Sequence, residues 1–209
     1  MQRKSLLGAC VAALAVAFAW AGSASAQSGG AGTAASAPTD PTYYNLPFGY
    51  RDLRMGMNGS DVQTLNWVLR GRALGTPFDG GFAQMTDGAV RSVQSAAGIS
   101  SNGVVNLDTR KALAAGMRDQ YASWYGPGFF GNRTACGKRL KKTTIGVAHK
   151  KLPCGTRVAL AYNGQWARAK VIDRGPYVKG RKWDLTYATA MQLGTIPVGT
   201  AVVKATVAP

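Results

Sequence analysis

The chain has 209 residues and is strongly basic, which restricts the classes of function open to it. It carries 25 Lys or Arg against nine acidic residues, all of them Asp, for a formal net charge of +16. One His and three Cys are too few ligands for the usual site of a metal-dependent peptidase. The electric field of such a positively charged protein attracts polyanions, which include nucleic acid, anionic membranes and acidic cell-wall polymers.

Residues 1–26 are predicted to be a secretory signal peptide. Arg3 and Lys4 form its charged start, Leu6 to Trp20 its apolar run, and Ala24-Ser25-Ala26 its cleavage site. The apolar run is short for a membrane span, so we expect no stable membrane insertion. Cys10 is interpreted as a discarded signal residue, although Leu7 to Cys10 loosely resembles a lipoprotein box. Removal of the signal leaves a net charge of +14.

Export changes the ranking of the polyanionic partners. We expect a secreted or periplasmic, cell-wall-associated protein, and a wall polymer becomes a better partner than nucleic acid, for which no recognition motif is found. Residues 27–49 follow as a predicted flexible linker, because they are rich in Gly, Ala, Ser, Thr and Pro as far as about Asn45.

Residues 50–117 are predicted to form a three-helix domain. Ser60 to Gln63 fits a capping box, S-x-x-Q, at the start of the first helix. The second helix is predicted from residue 85 or 86 to Ala97, and the third from Asn106 to Ala114. Helical spacing places one apolar face inward, made of Val62, Leu65, Val68, Leu69, Ala89, Val90, Val93, Ala97 and Leu113.

Four motifs occur in order along this helical region. They are L-R-M-G-M-N-G-S-D-V-Q-T-L from Leu53, F-D-G-G-F from Phe78, T-D-G-A-V-R-S-V-Q-S-A-A-G-I from Thr86, and N-G-V-V-N-L-D-T from Asn102. The region resembles the peptidoglycan-binding domain type 1 family, whose members bind wall glycopeptide in a shallow groove. The resemblance implies ligand contacts for Asp79 and Phe82, and by position for Gln94. Phe82 and Gln94 can equally be packing residues.

Residues 120–209 are predicted to form a small closed β-barrel. Alternating residues indicate strands over 121–125, 156–162, 166–172 and 200–207, separated by Gly and Pro turns. One helix is predicted over Tyr187 to Leu193, capped by Thr186 and ended by Gly194. Cys136 and Cys154, the two cysteines left after export, are predicted to form a disulfide. The rival interpretation, a metal pair, lacks a C-x-x-C neighbour, and no metal or cofactor is expected.

Carboxylates are scarce in this second half. Asp173 and Asp184 are the only acidic residues between Gln120 and Pro209, against fifteen Lys or Arg. Each lies next to a predicted element end, on either side of a basic turn. Acid–base chemistry by carboxylates in this half must therefore use these two, although either can instead hold a loop through backbone N–H groups or an Arg.

Four further motifs extend over nearly all of residues 121–207. They are A-S-W-Y-G-P-G-F-F-G-N-R-T-A from Ala122, G-V-A-H-K-K-L-P-C-G-T-R-V from Gly146, V-I-D-R-G-P-Y-V-K-G-R from Val171 and W-D-L-T-Y-A-T-A from Trp183. This half resembles the rare lipoprotein A family, whose domain is a six-stranded double-psi β-barrel shared with expansins and small endoglucanases. The resemblance implies a lytic transglycosylase that cleaves the MurNAc–GlcNAc link while the muramyl 6-hydroxyl closes a 1,6-anhydro ring.

The resemblance also assigns roles to individual residues. Such a reaction can run on one carboxyl group, which the D-R-G-P motif places at Asp173. His149 would orient Asp173 or the sugar, unless it is a hydrogen-bonded barrel histidine. Asp184 matches an essential carboxylate of expansins and endoglucanases, or else caps the following helix. Substrate-binding candidates in this half are Trp124, Tyr125, Lys138, Arg174 and Tyr177.

One departure from the family divides the functional hypotheses. Where the family reads Asn-Gly-Glu, this chain has Cys136-Gly137-Lys138. A cation beside Asp173 would favour its ionised form, weaken it as an acid, and attract anionic substrate groups. The first hypothesis is a monomeric transglycosylase acting on peptidoglycan, on denuded or anionic glycan strands. The second is a non-catalytic, expansin-like wall binder. A third, a secreted inhibitor-like barrel, has no positive sequence feature.

Overall fold

The structure is a computed structural model that describes residues 46–209. The predicted signal peptide and the linker up to residue 45 lie outside the described residues. Three helices come first: α1 (Ser60–Arg70), α2 (Gln84–Ala96) and α3 (Leu107–Ala115). Within the described part of the chain, no helix has both the length and the apolar character needed to cross a membrane.

The helical region buries most of the face predicted from its periodicity. All of the predicted inward residues are buried except Ala97, which is exposed because α2 ends at Ala96. The predicted capping box is wrong. Gly59 is the N-cap of α1 and makes no side-chain cap, while Ser60 Oγ donates to the carbonyl of Leu46 at 2.8 Å. The Gln63 amide, in turn, donates to the carbonyl of Phe78. Both polar groups are used to tie loops to the helix.

Six strands form the second half: β1 (Arg118–Tyr125), β2 (Val147–Ala148), β3 (Arg157–Tyr162), β4 (Gln165–Asp173), β5 (Trp183–Thr186) and β6 (Ala201–Ala208). They close in the order β1-β5-β2-β4-β3-β6, with β6 pairing back to β1. The pairs β1/β5 and β2/β4 are parallel and the others antiparallel. The predicted class, a helical domain followed by a six-stranded double-psi barrel, is confirmed.

One further helix, α4 (Tyr187–Leu193), connects β5 to β6. Thr186 caps it by accepting from the N–H of Thr189, and Gly194 ends it in the left-handed region at φ 73°. This cap agrees with the sequence prediction and leaves Asp184 without a capping role. The core of the barrel is apolar and includes Trp183, Leu185 and Leu160.

The helical region and the barrel share an apolar contact. Phe48 packs edge-on against Trp166 of β4, with ring centroids 5.0 Å apart, in one cluster with the buried residues of α1. Arg70 Nε donates to the carbonyl of Pro209 at 2.8 Å. Gly71 lies so close to β6 that an added Cβ would clash with Thr206 Oγ1. The two parts are therefore packed directly on each other.

Candidate active site

The two carboxylates of the barrel lie on neighbouring strands around β2. Ala148 of β2 pairs with Asp173 of β4 on one side and with Asp184 of β5 on the other, and Ser123 of β1 pairs with Asp184. Paired residues on adjacent strands project to the same face of a sheet. Two strand spacings separate the two Asp backbones by about 10 Å, with only the methyl group of Ala148 between them.

Asp173 and Asp184 line one open cleft of about 260 Å³. Asp173 Oδ1 accepts the backbone N–H groups of Ala135 and Arg174, both at 2.8 Å. No backbone N–H of residues 46–209 donates to Oδ2. The backbone therefore fixes the orientation of this carboxyl group through Oδ1 and leaves Oδ2 free of backbone contacts.

The pKa of Asp184 lies above its ordinary value. Burial raises its pKa, and the negative charge of Asp173 adds to the rise. The hydrogen bond from Ser123 Oγ, at 2.8 Å, and the charge of Arg181 act in the opposite direction. Asp184 therefore keeps its proton to a higher pH than an exposed Asp does.

The pKa shift of Asp184 predicts how stability depends on pH. Since the folded pKa is raised above the ordinary 3.8, the folded state binds the proton more tightly, and stability is lost as pH rises from that value through the folded pKa. An Asp184→Asn variant does not titrate and escapes this loss. We expect its melting temperature to match the wild type near pH 3 and to exceed it at neutral pH. A constant difference across that range in thermal unfolding would contradict the shift.

Tyr125 places a phenol beside both carboxylates. Burial raises its pKa, as do the charges of Asp173 and Asp184 and a hydrogen-bonding interaction with Asp173. Its buried hydroxyl has no partner of normal hydrogen-bond geometry within residues 46–209. Tyr125 therefore stays protonated and provides a donor to whatever occupies the cleft.

His149 does not share this cleft. Its backbone N–H donates to the carbonyl of Asp173, but its Nδ1 accepts the N–H groups of Lys151 and Leu152. The ring packs on Trp183 at 4.7 Å and lines a separate cavity, and its pKa is lowered first by burial and then by Lys182 and Arg174. The expected contact between the imidazole and the Asp173 carboxylate is corrected, because the side chain leaves β2 on the opposite face.

Arg174 supports the site from the side. Its guanidinium donates to the carbonyl of Leu152 at 3.0 Å and approaches Cys154 Sγ at 3.4 Å. The predicted disulfide is present between Cys136 and Cys154, with Cα atoms 5.8 Å apart. It joins the turn that carries the N–H of Ala135 to the loop held by Arg174. The bridge and this Arg therefore hold the backbone that binds Asp173.

Lys138 lies elsewhere as well. Its exposed side chain lines a different cavity, between α1 and β4, and is absent from the lining of the Asp173 cleft. The expectation of a cation directed at Asp173 is therefore corrected. The turn is closed by Thr134, which exchanges hydrogen bonds with the backbone of Lys138 and faces the cleft itself.

The predicted aromatic platforms divide into two groups. Tyr177 is 83% exposed at the rim of the cleft, together with Phe129, which the sequence analysis missed although it follows a Gly-Pro-Gly turn. Trp124 is absent from this lining and packs edge-on against Tyr187 at 5.9 Å. Arg181, a further missed residue, also lines the cleft.

In the helical domain the candidates differ in exposure. Phe82 is 2% exposed in the apolar core, so its assignment to ligand contact is corrected. Gln94 is likewise buried and hydrogen-bonded to Val104 and Gly103. Asp79 is exposed along a groove, although its Oδ1 also accepts the N–H of Gly81. Among residues 46–209, no group of three or more His, Cys, Asp or Glu is placed to hold a metal ion.

Comparison with known proteins matches the two halves separately. Residues 117–205 match the family described as lytic transglycolase, and residues 58–113 match the family described as putative peptidoglycan binding domain. A probable endolytic peptidoglycan transglycosylase RlpA of Aquifex aeolicus is 49% identical over 81 residues, 38% of this chain and 36% of that protein. The endolytic peptidoglycan transglycosylase RlpA of Campylobacter jejuni is 41% identical over 88 residues, 41% and 32% of the two chains.

The match to these relatives is partial. The chain spans about a third of the length of the curated relatives it matches. Among solved structures, the Streptomyces papain inhibitor is 22% identical, with a TM-score of 0.38 and coverage of 44% of this chain and 94% of that one. A likeness at that level carries no argument about function.

Proposed function

We propose that this protein cleaves peptidoglycan glycan strands outside the cytoplasm. The premise is that residues 117–205 form a domain of the lytic transglycolase family and residues 58–113 a peptidoglycan-binding domain. The reaction would break the MurNAc–GlcNAc link and leave a 1,6-anhydro end. The observation that carries the proposal is the orientation of Asp173, whose Oδ2 is free of backbone bonds in a cleft open to a ligand.

The chemistry needs one group that gives and then takes a proton. Asp173, when protonated, donates to the glycosidic oxygen as the bond to the muramyl carbon breaks. The resulting carboxylate then accepts the proton of the muramyl 6-hydroxyl as that oxygen attacks the same carbon. Water is not consumed, so no second carboxylate is required to activate it. Asp184 lines the same cleft, and the negative charge of Asp173 contributes to the raised pKa of Asp184.

The rim of the cleft suits a sugar. Tyr177 and Phe129 present exposed rings, and flat rings pack against the C–H faces of a pyranose. Inside, the protonated Tyr125 can donate to a sugar oxygen. The three arginines that line the cleft, Arg133, Arg174 and Arg181, outnumber its two carboxylates. The strongly positive chain would also be drawn to an anionic wall. We propose that it acts there as a monomer, after export.

A second candidate function is wall binding without cleavage. Two observations favour it: Lys138 stands where the family that this half resembles has a Glu, and the carboxylates that line the cleft are Asp173 and Asp184 alone among residues 46–209. In that case the exposed rings and the basic surface would hold the polymer, and binding would weaken with salt.

Digestion of purified sacculi separates the two functions. The enzyme hypothesis expects soluble muropeptides whose muramyl ends are lighter by one water than hydrolysis products, as measured by mass spectrometry. The binding hypothesis expects the protein to sediment with sacculi, in a salt-dependent manner, without soluble fragments. Hydrolysed ends in place of anhydro ends would reject the proposed reaction while keeping the substrate.

A further inference from the structure

A second cavity, of about 480 Å³, lies between α1 and β4. Three cationic side chains line it, Lys138, Arg168 and Lys170, and no acidic residue does. Both lysines are exposed, whereas Arg168 is partly buried under the helix. The cavity thus concentrates positive charge in the contact between the two domains.

Arg168 lacks an anionic partner in this contact. Its Nε donates to Thr64 Oγ1 at 3.0 Å and its Nη1 to Gln63 Oε1, both neutral groups, while Nη2 makes no hydrogen bond within residues 46–209. Burial lowers its pKa. Asp79 lines the adjoining groove with it but forms no ion pair with it. A partly buried guanidinium without a counter-charge is costly, so the site is incomplete as the described chain leaves it.

A second unsatisfied donor lines the same cavity. Trp67 is 5% exposed, and its indole N–H has no acceptor among the described residues. The Arg168 guanidinium lies 5.4 Å from the centre of the Trp67 ring. Since buried donors are nearly always paired in folded proteins, two donors here point to an acceptor that residues 46–209 do not provide.

We propose that this interdomain cavity binds a carboxylate of the peptide part of peptidoglycan, with Arg168 as its main donor and Lys138 and Lys170 as flanking charges. A planar guanidinium with free N–H groups matches a carboxylate better than it matches any neutral sugar oxygen. The proposal rests on the proposed function for the identity of the polymer. It also assigns a binding role to Lys138, which does not line the Asp173 cleft.

The interdomain cavity and the Asp173 cleft lie on either side of one turn. Lys138 ends the same turn whose Ala135 N–H binds Asp173, and Thr134 of that turn faces the cleft. A peptide carboxylate held by Lys138 would therefore sit on one side of the turn, while the glycan that bears the peptide occupies the other. The site would select strands that still carry peptides.

Muramyl dipeptide and its methyl ester, which lacks the free carboxylate, test the site by calorimetry on the purified protein. We expect the acid to bind about tenfold more tightly than the ester, as expected for a charge-assisted hydrogen bond. The double variant Lys138→Gln, Lys170→Gln should reduce this preference several-fold. The matched control Lys150→Gln, Lys151→Gln removes the same charge from exposed lysines outside the cavity and should keep it. The Trp67 indole N–H resonance should shift with the acid only.

Several outcomes would overturn the site. These are equal affinity for acid and ester, equal loss in both double variants, or displacement by acetate at the same concentration as the dipeptide. Asp40 is the one acidic residue before residue 52, so an Asp40→Asn protein that binds the acid far more tightly would show that the chain's own carboxylate is the occupant. An Asp173→Asn protein should retain the acid preference, so this test stands even if the protein cleaves nothing.

Discussion

Replacement of Asp173 by Asn is expected to lower the release of anhydro-muropeptides from sacculi by at least about 100-fold, the usual contribution of a general acid–base group. Asn keeps the size of the side chain, and its oxygen can still accept the N–H groups of Ala135 and Arg174. What it loses is the transferable proton at the atom that faces the cleft. The rate of release, with sacculus binding measured in parallel, separates lost chemistry from lost affinity.

A matched control uses another aspartate. Asp108 lies exposed on α3 and, within residues 46–209, pairs with Lys111 at 3.7 Å, so Asp108→Asn makes the same chemical change outside the Asp173 cleft. It should leave the rate unchanged. Asp184→Asn should give a smaller fall than Asp173→Asn, because Asp184 acts through its charge. Undiminished release by Asp173→Asn would remove the catalytic proposal.

The double replacement Cys136→Ser, Cys154→Ser is expected to cost about 3 kcal/mol of unfolding free energy, from the loop that the bridge closes across a separation of 18 residues. If the two packed domains unfold together as one unit of residues 46–209, that lowers the melting temperature by roughly 6–12 °C. Activity should fall as well, because the turn bearing the N–H of Ala135 then loses its covalent tie and keeps only hydrogen bonds, such as that from the backbone N–H of residue 136 to the carbonyl of Ile172. Calorimetry on the purified variant measures the first effect.

Reducing agent provides the control for the disulfide. It should lower the melting temperature of the wild type towards that of the double Ser variant and leave the variant itself unchanged. If the wild type and the variant melt together in the absence of reductant, the bridge does not stabilise the fold.

Sequence motifs of a few adjacent residues predicted the features that depend on local backbone geometry. The α4 helix was predicted at both ends because a hydroxyl N-cap and a left-handed Gly are properties of adjacent residues, Thr186 and Gly194. The disulfide followed from the count of cysteines left after export. The scarcity of carboxylates and the motifs of the resembled families both pointed to Asp173 and Asp184, and the structure places both in one cleft.

The predictions that were wrong depended on the direction in which a side chain points in the folded protein. β2 contains only Val147 and Ala148, too short a strand for an alternating pattern, so the sequence did not indicate that His149 faces away from the cleft. Lys138 follows a turn whose direction is set by the bridge at Cys136 and by Thr134, two contacts that arise only in the folded chain. The capping box at Ser60 was displaced by a tertiary acceptor, the carbonyl of Leu46.

The apolar contact that joins Phe48 and α1 to Trp166 has a mechanical consequence. A hinged pair of domains could reach many bonds from one point of attachment. Under the proposed function, the peptidoglycan-binding domain and the Asp173 cleft are packed against each other, so the distance between the bound unit of the polymer and the cleaved bond should vary little. The lengths of the released glycan fragments would then be set by the distance between the binding domain and the cleft.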